Sequence, residues 1–153
     1  MKQQDGGLAG YRYGEGCKGP GLWLGVTRYT PRGVRKGDYV RDGYFQQRLP
    51  LLSPSPELVR AYLQRGMPFS SFARKYRSEM AAPEARQMID LLAVAARQVP
   101  VQVGCFCEDE SRCHRSVLLD LIEAAAAEQG GGRPLTPLGK FASPACSMAE
   151  IED

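Results

Sequence analysis

No run of the chain approaches the ~18 consecutive apolar residues of a membrane helix. The opening MKQQDGGLAG has no apolar stretch that would serve as a signal peptide. These absences lead to the expectation of a cytoplasmic protein with reduced thiols and no membrane partner. Cys17, Cys105, Cys107, Cys113 and Cys146 make an odd count of five, unevenly spaced, which is no secreted disulfide framework. The formal net charge of +3 is too small for a nucleic-acid binder that works by bulk charge. No internal repeat is found. What is left is 153 residues, the length of one domain, 43% hydrophobic and 24% charged. Such a chain can build a core without disulfides.

Residues 1–21 are rich in glycine and read as a loop-rich N-terminal segment, with a short strand around LAGYRY. LWLGVTRY (22–29) reads as a buried strand between Gly21 and Pro31. The stretch from Arg28 to Arg48 is punctuated by Pro31, Gly33, Gly37 and Gly43, and reads as a basic loop. Its arginines are Arg28, Arg32, Arg35, Arg41 and Arg48, against Asp38 and Asp42.

Four helices are predicted. The first has Ser55 as N-cap and Pro56 at its first position, an apolar face of Leu58, Val59, Tyr62 and Leu63, and Gly66 as its stop. Phe69, Phe72, Tyr76 and Met80 line the second. The third runs from Pro83 to Pro100, with Met88, Leu91, Leu92, Ala95, Ala96 and Val99 on one face. VQVGCFC (101–107) reads as a central strand. The fourth helix runs from about Cys113 to Glu128 and ends at GGGRP.

Two buried strands joined by a helical crossover should be parallel. The predicted class is α/β, a small, mostly parallel sheet flanked by helices with a tendency to three α/β/α layers. Residues 22–129 would form this single domain, and 130–153 a flexible tail. In such folds the cleft lies at the carboxyl ends of the strands. The first strand delivers Arg28 and TPRG there; the second delivers Cys105, Cys107 and EDESRCHR.

That second stretch, GCFCEDESRCHRS (104–116), holds three of the five cysteines and the sole histidine, His114. A metal reading takes Cys105, Cys107, Cys113 and His114 as a Cys₃His set, with the two strand cysteines on one face. The usual C-x₂₋₄-C spacing is missing, and helical neighbours such as 113 and 114 point about 100° apart. No metal and no cofactor is therefore assigned. A nucleophile reading centres on Cys113, near a helix start and between Arg112 and Arg115, both of which favour a thiolate. Burial as small packing residues is the structural alternative for all three cysteines. An anion reading uses the N–H groups of the helix start with Arg112 or Arg115, and Arg28 and Arg32 facing them from the other strand. Its structural alternative is that Asp109, Glu110 or Ser111 caps the helix and pairs with the arginines.

The motifs resemble a bacterial family, domain of unknown function 488. The matching residues are YTPRGVRKG, LPLLSPSPEL, FARKYRSEM and VGCFCEDESRCHRSVLLDLI, across roughly residues 22–126. The triplet Cys113-His114-Arg115, eight residues after Cys105, is the most specific element. Where the family often has a glutamate two residues after the strand cysteine, this chain has Cys107. The resemblance implies an α/β fold with a polar cleft, and no particular activity.

The sequence reading is a site for a small anionic ligand of phosphate, carboxylate or nucleotide type. His114 and Cys113 are the catalytic candidates, with Arg28, Arg32, Cys105, Arg112 and Arg115 as ligand-binding residues. The alternative is a non-catalytic nucleic-acid-binding accessory protein that uses the basic loop 28–48. Tyr76 is read as core and Ser55 as a cap.

Overall fold

A computed structural model of the chain describes residues 6–130 together with Leu135 and Leu138. Four strands, β1 (Gly7–Arg12), β2 (Leu22–Gly25), β3 (Gln47–Arg48) and β4 (Pro100–Cys105), form one sheet in the order β1-β4-β2-β3. Every pairing is parallel. β4 is the centre, as its apolar run predicts: Leu22 to Gly25 of β2 pair with Val101 to Gly104 on one side, and all six residues of β1 pair on the other. The glycine-rich segment thus supplies a full strand of the same sheet. β3 is a two-residue strand inside the stretch read as loop. Its Gln47 and Arg48 have no apolar alternation to announce them, and only the pairing with Leu24 and Gly25 makes them a strand.

The helices are α1 (Pro56–Gln64), α2 (Phe69–Glu79), α3 (Pro83–Gln98) and α4 (His114–Glu128). All four bury residues in one core with Leu8, Leu24, Val26, Val101 and Val103 from a single face of the sheet. The opposite face is covered by a second cluster, Tyr11, Tyr13, Trp23 and Phe45, to which none of the four helices contributes a buried residue. The layer expected there as helix is aromatic. The connections from β1 to β2 and from β2 to β3 carry too many glycine and proline breaks to form a helix. They add Tyr13 and Phe45 to the strand rings Tyr11 and Trp23, which meet edge-on at 5.1 Å between centroids, and these large rings seal the face. Gly104 makes this possible, because a Cβ there would lie 2.4 Å from the Tyr11 ring.

Two helices turn differently from their sequence patterns. α3 buries Ala85, Ile89, Leu92, Ala93 and Ala96, whereas Leu91 is 59% exposed. The alanines, weak in hydropathy, are the close-packing face. α1 buries only Leu58; Leu63 on its expected apolar face is 71% exposed. α1 is capped by Ser55, whose Oγ accepts from the Leu58 N–H at 3.2 Å. Glu79 of α2 in turn accepts from the Ser55 N–H at 2.9 Å and from its hydroxyl at 2.5 Å. Tyr76 is wholly buried, and its hydroxyl donates to the Leu52 carbonyl at 2.6 Å.

The segment 130–153, expected as a tail, lies largely outside the described residues. Within it, Leu135 is buried in the main core and the Leu138 N–H donates to the Leu8 carbonyl at 2.9 Å.

Candidate functional site

Parallel strands end together, so β2 and β4 release their loops at one edge of the sheet. Between those loops and α1 lies a cleft of about 340 Å³. The β2 loop lines it with Thr27, Arg28 and Tyr29, and the β4 loop with Cys105, Phe106, Cys107, Arg112, Cys113 and His114. The third wall is α1 and its approach, including Val59, Arg60, Tyr62 and Leu63. This explains the misread face of α1: Leu58 enters the core, Val59 and Leu63 line the cleft, and Tyr62 lies between the two. Arg60 was not singled out from the sequence. It sits between apolar neighbours, where a lone arginine on a helix carries no signal.

Among the described residues, three arginines and no carboxylate line this cleft. Arg28 Nη2 donates to the Pro54 carbonyl at 3.4 Å, while its buried Nε has no hydrogen-bond partner among the described residues. Arg112 closes the far side. Arg32 stands in an adjoining hollow with Thr30, Tyr29 and Phe106, and the last two also line the cleft. Arg115 is different. Only 2% exposed, it donates through Nη1 to the Tyr11 carbonyl and through Nη2 to the Cys107 carbonyl at 2.9 Å. It ties the end of β1 to the loop after β4 and does not line the cleft.

The floor of the cleft is formed by the GCFCEDESRCHRS stretch. Cys113 precedes α4 as its N-cap, with an extended backbone (φ −132°, ψ 148°), and its side chain makes no capping bond. Cys113 is therefore not helical, and the objection from helical geometry to its sharing a site with His114 disappears. Its Sγ lies 2.8 Å from Cys105 Sγ and 3.7 Å from His114 Nδ1. Both cysteines are buried, and Cys107 at the rim is exposed. The ring of His114 is fixed by an Nε2 contact to the Val26 carbonyl at 2.7 Å and by edge packing on Tyr76. A carbonyl partner requires Nε2 to carry the proton, which leaves the Nδ1 lone pair facing Cys113. Burial lowers the His114 pKa, so the ring is neutral.

Contact with Cys107 holds the Cys105 thiol up at about 12, and contact with Cys105 drives Cys113 well up. Contacts with Cys105 and Cys113, aided by the charge of Arg115, hold Cys107 far below an ordinary thiol. Asp109 accepts from the Ser111 N–H and hydroxyl, which turns the loop through a short 3₁₀ segment toward Cys113. Asp109 is thus engaged with Ser111, and no side chain among the described residues caps α4.

A family model described as the active DUF488-N3 subclade matches residues 11–126. The chain belongs to the DUF488 family. No curated protein and no solved structure matches it significantly. The family match takes in the last two residues of β1, all of β2–β4, all four helices but the last two residues of α4, and every residue lining the cleft. It extends the resemblance read from the motifs back into β1. Among the described residues of this DUF488 chain, no helix is long and apolar enough to cross a membrane.

Proposed function

We propose that the cleft binds a small anionic molecule carrying a flat or apolar portion, of nucleotide type, and that Cys113 and His114 at its floor are the groups beside its reacting end. The observation that carries this is a concave site with Arg28, Arg60 and Arg112, no acid among the described residues, and the aromatic walls of Tyr29, Tyr62 and Phe106. Concave apolar sites with a few convergent polar groups are where small molecules bind. The uncapped start of α4 adds backbone N–H groups and the positive end of the helix dipole. Arg32 reaches such a ligand from the adjoining hollow, and Cys105 forms the wall behind Cys113. Arg115 supports the floor by holding the loop that carries Cys107.

The nucleic-acid reading has less support, because the cations of the basic loop are largely engaged. Arg35 and Arg41 pair with Asp38, Arg41 also with Asp42, and Arg48 donates to the Thr27 and Arg28 carbonyls. Such internal pairing diminishes a phosphate-binding stripe.

The test is calorimetry with inorganic phosphate and a panel of nucleoside monophosphates. One-site binding is expected, tighter for a nucleotide than for phosphate. Arg28→Ala or Arg112→Ala should each weaken it by roughly 10- to 100-fold, the worth of a charged hydrogen bond. Absence of saturable binding to any of the panel, or full affinity in both variants, refutes the reading. Retention on single- or double-stranded DNA or RNA that falls steeply with salt would establish the alternative in its place.

A further inference from the structure

We propose that Cys105, Cys113 and His114 hold a soft divalent cation of the zinc class at the floor of the cleft, with the rim thiol of Cys107 closing its fourth corner. The donor atoms of Cys105, Cys113 and His114 all lie within 4.8 Å of one another, and all three residues are buried. Two thiols and one imidazole nitrogen are a zinc-type set, and a third thiol at the remaining corner completes Cys₃His, a closed set that zinc favours.

The surroundings fit a metal ligand set in three further ways. First, His114 is oriented as ligating histidines are: its Nε2 side is bound to a backbone carbonyl 2.7 Å away, so the free lone pair on Nδ1 faces the sulfurs. Second, the two buried sulfurs stand 2.8 Å apart. That lies between the ~2.05 Å of a disulfide and the spacing of two unbonded thiols. Zinc–sulfur bonds of ~2.3 Å would open the pair to a tetrahedral edge of about 3.8 Å, within reach of small side-chain rotations. Third, buried thiolates are costly unless compensated. Beside the cation itself, the guanidinium of Arg115 lies at the Cys107 carbonyl and the positive end of α4 begins at Cys113. Binding needs no redox partner: each ligating thiol gives its proton to solvent as the metal–sulfur bond forms.

The experiment is a titration of the reduced full-length chain with cobalt(II), a spectroscopic stand-in for zinc, followed by displacement with zinc. One cobalt per chain is expected, with a thiolate-to-cobalt charge-transfer band and the visible bands of tetrahedral cobalt. Cys113→Ser or His114→Gln should weaken binding at least ~100-fold. Cys107→Ser should keep one metal per chain with a weaker charge-transfer band. The control Cys17→Ser/Cys146→Ser should leave the spectrum unchanged. Because a floor variant can fail to fold, a second readout uses the unaltered chain: zinc should protect Cys107, but not Cys17, from alkylation. No charge-transfer band in the reduced parent, a band lost in the control variant, or no zinc protection of Cys107 overturns the inference. The two readings separate cleanly. Nucleotide binding by chelator-treated protein without metal uptake leaves the anion cleft standing, and metal uptake without nucleotide binding leaves only the metal site.

Discussion

Replacing Arg115 with alanine separates an arginine that binds ligand from one that holds the fold. Its guanidinium is buried and makes two hydrogen bonds, to the carbonyls of Tyr11 and Cys107. At ~1.5–3 kcal/mol for each charged hydrogen bond, the gross loss is about 3–6 kcal/mol. Against this, the Nε is buried without a partner, and removing it relieves ~1–3 kcal/mol of unsatisfied polarity. Taking the middle of each range, the net destabilisation expected is about 2.5 kcal/mol. For a chain of this size, ~2–4 °C per kcal/mol converts this into a fall of about 5–10 °C in Tm. Arg115→Met keeps the packing of the stem and removes the buried charge, so its loss should be the smaller of the two. The assay is urea unfolding of reduced, chelator-treated protein followed by far-ultraviolet circular dichroism, with nucleotide affinity measured in parallel below the transition. An alanine variant within ~0.5 kcal/mol of the parent, the range of an ordinary surface change, would refute this role. Unchanged stability with lost nucleotide binding would return Arg115 to the ligand.

Two further outcomes follow from local geometry. Gly104→Ala puts a methyl into the Tyr11 ring, 2.4 Å from its nearest atom, and should cost about 1–3 kcal/mol by overpacking, read as a lower urea midpoint with an unchanged slope. Ser55→Ala removes the acceptor for the Leu58 N–H and the donor to Glu79, and should cost roughly 1–2 kcal/mol; a loss below ~0.3 kcal/mol in the same assay would show that the cap contributes little.

The parallel pair β2–β4 was legible because both strands are short apolar runs separated by helical periods, and parallel central strands are buried on both faces. The ends of the elements were legible where a side chain marks them chemically, as Ser55 and Pro56 do for α1. The two-residue β3 was not, because its register lies in backbone hydrogen bonds that leave no side-chain pattern. The buried face of α3 was misjudged for a related reason: Ala93 and Ala96 are selected by close approach, which hydropathy does not measure.

The sequence by itself determined that His114 and three cysteines lie within ten residues after a central strand, and that arginines follow another strand ending nearby. Only the tertiary structure decided what those residues face. Arg115 reads as a cation beside a helix start, yet two carbonyls from distant backbone occupy it. Val59 and Leu63 read as core, yet the cleft takes them. Cys113 and His114 read as helical neighbours pointing apart, yet the extended backbone of an N-cap residue turns the Cys113 sulfur toward the imidazole. Spacing along a chain sets which side chains can meet; their directions follow from backbone torsions and from partners far away in sequence, and these exist only in the folded molecule.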